Sequence, residues 1–241
     1  MMTSYSSEEV RRGLVKEFGE DDGFLIHVLT NRTSQLALEW RFFLYFFCGS
    51  EKRVQVLKDA SPIVAQTLSN SLWDNALTTI RRLSDDTHKS GNRNVSLGHL
   101  ERIAEEGGVD ELLGQFAELQ TTARPIRKYV DRYIAHADYS TSKGDKIVTV
   151  TRRETTDAVK GIVFLVTRFH ELVRDTTYCL LPLTTVADEQ QFLMRLYQGI
   201  RFDASEKAEH LASAKLGVDR ENFYDDLPDW IWDPAFRDDP F

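Results

Sequence analysis

Apolar residues recur every three or four positions over most of the chain, a spacing that predicts helices separated by short polar breaks. Residues 7–18 carry Val10, Leu14 and Phe18 on one side, a short amphipathic helix. From about Ser34 to Cys48 the aromatics Trp40, Phe42, Phe43, Tyr45, Phe46 and Phe47 make a helix apolar almost all round, expected at the centre. Ser61-Pro62 starts the next helix, with Ser61 as its cap and Pro62 in the first turn, where a missing N–H costs nothing. Its stripe is Val64, Leu68, Leu72, Ala76, Ile80 and Leu83, ending near Asp85-Asp86. Polar, aperiodic Thr87–Val95 reads as a loop. Ser96 is expected to cap a helix with Leu97, Leu100 and Ile103 inward and Glu101 and Arg102 in water. Gly107-Gly108 breaks it and Asp110 opens another, which Pro125 is expected to interrupt.

Beyond Pro125 the residues Ile126, Tyr129, Val130, Tyr133, Ile134 and Ala137 keep a helical stripe. Lys143–Thr151, with its glycine and β-branched alternation, predicts a short extended arm. A long helix is expected from a cap at Thr155 or Thr156 to Leu180, stopped by Pro182, followed by helices at about 186–201 and 204–215. The resulting fold class is all-α, a helical bundle with one extended arm and an irregular tail. Its expected divisions are N-terminal helices over 1–60, a core over 61–183, C-terminal helices over 184–216 and a tail over 217–241.

Charge alters this picture in one place. The 241 residues hold 30 Lys+Arg and 38 Asp+Glu, a net charge of −8. Residues 217–241 contribute eight acids and two arginines, net −6, which leaves about −2 for the rest, so a local basic site for RNA stays open. That tail also holds Trp230 and Trp232 among carboxylates, the composition of a docking segment or of a cover for the chain's own bundle. The two cysteines, Cys48 and Cys179, sit in apolar runs and read as buried free thiols of a reducing compartment, which points to the cytoplasm. Acidic Glu8-Glu9 follows the first residues where a signal peptide would be apolar, and the most apolar run, Leu36–Cys48, contains Glu39 and Arg41. No membrane association is expected.

The chain contains no phosphate loop, dinucleotide turn, nucleophile elbow or His-Glu-x-x-His, so neither a cofactor nor a resident metal is expected. His170, within an apolar helix, reads as a core-edge histidine hydrogen-bonded to a neighbour. His136 differs. Lys128, Arg132 and His136 fall four apart, one above the other on a helix at about 100° per residue, with Tyr139 on the same line if the helix continues. An imidazole beside a guanidinium can take the proton of a ribose 2′-hydroxyl while the cation stabilises charge on phosphorus. The bland alternative is a solvated, salt-bridging surface. Arg82 and Asp85, in the last turn of their helix, read as a local pair or cap, or as a cation and a carboxylate that orients Arg82 or His136.

Leu72-Trp73 with Asn75, Arg81-Arg82-Leu83-Ser84-Asp85, Val95-Ser96-Leu97 and Lys128-Tyr129 followed by Arg132-Tyr133-Ile134-Ala135-His136-Ala137-Asp138 together resemble the HEPN superfamily, in its U-type abortive phage-infection branch. The resemblance covers about Ser61 to Val173. It implies a HEPN-like bundle that forms a homodimer around a shared cleft, an RNA substrate, and metal-independent endoribonuclease activity in phage defence or a toxin–antitoxin pair with its antitoxin partner. On that basis His136 is the expected general base or acid, Arg132 the phosphate ligand, Asp131 and Asp85 orienting groups, and Arg82 a second cation, with Lys128 and Tyr139 in support. Active members carry arginine, then four to six residues, then histidine. Here those places before His136 hold Asp131, Val130 and Tyr129, so Arg132 or Arg82 supplies the cation or catalysis is lost. Two residues beyond the histidine, where related toxins carry a tyrosine that is nucleotidylated, stands Asp138.

Overall fold

Helix follows helix in the computed structural model, which describes residues 6–89, 92–134, 149–178, 180 and 188–215. The eight α-helices among them are α1 (Ser7–Phe18), α2 (Glu20–Phe43), α3 (Glu51–Ala60), α4 (Pro62–Leu83), α5 (Gly98–Glu106), α6 (Asp110–Tyr129), α7 (Arg152–Arg174) and α8 (Asp188–Lys215). Two five-residue π-helical turns, Leu44–Cys48 and Val130–Ile134, extend α2 and α6. The fold is an all-α bundle. Its centre is α2, which packs on α1, α4 and α7, while α6 lies against α4, α5 and α7. Leu14, Ile26, Leu36, Leu77, Ile80, Leu100, Ile126 and Phe169 are fully buried between these helices.

Local chemistry explains the boundaries. Ser6 and Glu9 close a reciprocal capping box at α1, as Thr151 and Glu154 do at α7. Ser61 caps α4 through Val64 N–H, with Pro62 in its first turn. Gly19, at φ 83°, joins α1 to α2 in a conformation open to glycine. One turn later Gly23 lies against the backbone of α1, where a Cβ would come within 2.5 Å of Leu14 C and O and Val15 Cα. Gly23→Ala is therefore expected to lower stability by about 1–3 kcal/mol, despite alanine's higher helix propensity, because α1 must move off α2. A thermal melt of the variant measures this, and an unchanged or raised midpoint would contradict the packing.

Several elements differ from the sequence expectations. The central helix begins at Glu20, not Ser34: its opening acids Glu20, Asp21 and Asp22 sit where the helix dipole favours negative charge. α3 was not expected. In α4 the buried line holds from Leu72 onward, but Ile63 and Val64 face solvent. The loop after α4 contains a two-residue antiparallel ladder, β1 (His88–Lys89) with β2 (Asn92–Arg93). Ser96 is no cap; its hydroxyl is buried with no hydrogen-bond partner among the described residues, and α5 starts two residues later. Pro125 does not split α6, which runs on to Tyr129. Arg127 helps hold this stretch, donating to the Gln120 side chain and carbonyl. α7 starts at Arg152 and ends at Arg174, with Asp175 left-handed at its C-cap. The two expected C-terminal helices are one, α8. Cys48 is free but only partly buried. Most of the expected arm at 143–151, Cys179 and the tail at 217–241 lie outside the described residues.

His170 meets its expectation. Its ring is fully buried, stacked on Tyr178 at 4.7 Å between centroids. Arg174 can only donate, so Nδ1 accepts from it at 3.1 Å; Nε2–H then donates to Thr30 Oγ1 at 2.9 Å, and that hydroxyl donates to Ile26 O. The ring is neutral: burial, then the Arg174 charge, hold its pKa down at about 4.

The first turn of α8 is fastened to the bundle by Arg41, whose Nε donates to Glu189 Oε1 at 2.9 Å, and by Phe46 packed edge-on against Phe192.

Candidate active site at the ends of α4 and α6

The last turns of α4 and α6 meet at one end of the bundle, and two arginines tie them. Arg81 donates through Nη1 to Asp85 at 2.8 Å and through Nε to Asp131 at 2.8 Å, the latter in the π-turn that prolongs α6. Arg127 bonds from α6 to the Ser84 carbonyl at the α4 terminus, at 2.6 Å. Leu97 N–H also reaches back to Leu83 O, so the chain leading into α5 is fixed to the same terminus. Burial works against the charge of Arg81, yet its bond to Asp131 and the fields of Asp85 and Asp131 outweigh that and raise its pKa. Its guanidinium stays charged.

Around this clamp lie aromatic and acidic groups. The Tyr129 and Tyr133 rings are 5.0 Å apart, and Arg132 places its guanidinium carbon 5.8 Å from the Tyr133 centroid. Burial, followed by the charge of Asp74 on α4, raises the Tyr129 pKa, while burial raises that of Asp74 itself. Lys128 is exposed and Arg132 half-buried.

The structure thus joins Asp85 and Asp131 through Arg81, whereas the sequence reading paired Asp85 with Arg82 and drew no link to Asp131. Arg82 is exposed and has no ion-pair partner among the described residues. Spacing does not separate the two arginines, because residues three and four apart are both neighbours on a helix; what distinguishes Arg81 is its second bond, to Asp131 on the facing element. The expected straight stripe of Lys128 and Arg132 is also modified, because Arg132 stands in a π-turn, whose i→i+5 bonding widens the helix. His136 and Tyr139 lie outside the described residues, beyond Ile134 where the π-turn ends.

Asp85 and Arg81 are 14% and 22% exposed, so breaking their bond strands a largely buried carboxylate. Arg81→Met is expected to cost about 1–3 kcal/mol of stability, whereas Arg82→Ala stays within about 0.5. Urea unfolding of the two variants checks this ranking, and equal losses would contradict it.

Among the described residues no group of three or more His, Cys, Asp or Glu side chains is placed to hold a metal ion. Nor is any helix there long and apolar enough to cross a membrane. Two open hollows of about 560 and 580 Å³ are lined by residues of the Phe47–Lys58 segment with Arg152, and by α6 with α7; neither touches the clamp.

The family model HEPN_AbiU2, described as AbiU2, matches residues 22–192, and the chain belongs to this family of abortive-infection HEPN domains. The match extends the resemblance to include α2 and α3. No curated protein and no solved structure matches the chain.

Proposed function

We propose that this chain is an RNA-cutting effector of phage defence or of a toxin–antitoxin pair, acting in the cytoplasm as a homodimer without a metal ion. The observation that carries the proposal is the Arg81 clamp, which locks Asp131 to α4 and so fixes the turn bearing Arg132, just before the chain reaches His136. In the reaction, the His136 imidazole takes the proton of a ribose 2′-hydroxyl and the 2′-oxygen attacks the adjacent phosphorus in line. Arg132 stabilises the charge gathered there. The bond to the 5′-oxygen breaks, and that oxygen leaves with a proton from the partner's His136. Asp131 and Asp85 act through Arg81 as positioning groups, while Lys128 and Arg82 attract the phosphate backbone.

Incubating the purified chain with RNA in excess EDTA tests this. Cleavage leaving 2′,3′-cyclic phosphate and 5′-hydroxyl ends is expected; intact RNA, or cleavage restored only by divalent ions, overturns it.

One observation favours a second reading, a catalytically silent HEPN module that binds a partner protein or nucleotide: no arginine stands four to six residues before His136. Such a module would bind in the same assay and leave RNA whole.

A further inference from the structure

The exposed part of α8 is built to be covered. From Leu193 to Phe202 its sequence is Leu-Met-Arg-Leu-Tyr-Gln-Gly-Ile-Arg-Phe, six large apolar residues in ten. At about 100° per residue Leu193, Leu196 and Ile200 fall on one side of the rod, while Met194, Tyr197 and Phe202, each about half exposed, fall within about 140° on the other. A helix apolar on several sides is a helix meant for burial. Its only charges in this stretch are Arg195 and Arg201, the latter with its guanidinium carbon 5.8 Å from the Tyr197 ring centroid. Gly199 adds a second sign. Glycine inside a helix costs stability, yet a Cβ there would meet nothing within 4 Å. No neighbour among the described residues accounts for it, whereas a large ring laid on the helix would.

We propose that the cover is the chain's own segment 223–233, Phe-Tyr-Asp-Asp-Leu-Pro-Asp-Trp-Ile-Trp-Asp. It is complementary in both respects: Phe223, Leu227, Trp230, Ile231 and Trp232 bring apolar area, and Asp225, Asp226, Asp229 and Asp233 bring only negative charge to a face holding only arginines. The reach suffices. Leu193 lies about 33 Å from the α8 end at Lys215 along the helix, while the 15 residues from there to Trp230 extend to about 50 Å. Tethering supplies an effective concentration on the order of millimolar, which a free partner rarely matches. The same face of a second copy would instead set arginine against arginine.

The inference needs no nuclease activity and is tested apart from it. The full-length chain would carry the photo-crosslinker p-benzoylphenylalanine at Tyr197, or in a second preparation at Phe202 should the first fail to fold. Irradiation is expected to give crosslinks to residues 223–233 within one chain, at a yield independent of protein concentration. Trp230→Ser with Trp232→Ser should cut that yield several-fold. Crosslinks between chains, to any other segment, or none above background would overturn the proposal.

Discussion

If the proposed reaction holds, His136→Ala is expected to slow RNA cleavage by about 10²–10⁴-fold without loss of the folded bundle, because it removes the general acid–base group. In a dimer both copies lose the group at once, so neither the 2′-hydroxyl proton nor the leaving oxygen is served. The described core is formed by residues such as Leu77, Ile80, Ile126 and Phe169, and the clamp by Arg81, Asp85 and Asp131. Initial rates on a defined oligonucleotide, beside melting curves of both proteins, measure the two halves of this expectation. A rate within threefold of wild type would take His136 out of the chemistry. An Arg132→Ala variant is a useful companion. If it retains activity and Arg82→Ala does not, the cation comes from α4.

The second large effect concerns stability. His170 has a folded pKa of about 4, against an ordinary value near 6.5 in the unfolded chain. Between those values the unfolded chain holds a proton that the native ring refuses. The associated stability is therefore complete above about pH 6.5 and is lost as pH falls toward 4, amounting to about 3 kcal/mol. The cause is geometric: protonating Nδ1 would set a donor against the Arg174 guanidinium inside a packed core, with Thr30 and Tyr178 closing the other sides. Arg174 is itself held by Glu17 at 3.0 Å, so it does not swing away. His170→Gln should remove this acid dependence, whatever its stability at pH 7. Urea unfolding of both proteins at pH 7.5 and 4.5 provides the comparison, and parallel pH dependences would contradict a buried neutral ring.

Much of the bundle was legible because helix signals are local. Ser61-Pro62 and Gly107-Gly108 fixed boundaries through rules that hold whatever packs nearby. Thr151-x-x-Glu154 is an equally local signal, and its capping box sets the cap of α7 four or five residues before the expected cap at Thr155 or Thr156. What sequence concealed was tertiary. Pro125 removes a hydrogen bond, but α6 is held by α4, α5 and α7 and by Arg127, so the helix continues. The first half of α2 went unread because its polar groups are satisfied at long range: Asp22 pairs with Arg102 and Thr30 meets His170, pairings that no periodicity reveals.

The site was legible in type more than in detail. The carboxylates Asp85 and Asp131 stand out as candidates from residue chemistry, yet they are 46 residues apart and only the packing of α4 on α6 shows that Arg81 is what joins them. A π-turn cannot be read from the spacing of Tyr129, Val130, Tyr133 and Ile134, since those residues fit an ordinary helix as well.

The most direct measurement is growth and RNA integrity in cells expressing the wild-type chain beside His136→Ala at matched protein levels. Arrested growth with fragmented RNA for the wild type, and neither for the variant, is the expected result. Equal growth with intact RNA in both, or equal fragmentation in both, would contradict a nuclease centred on that histidine.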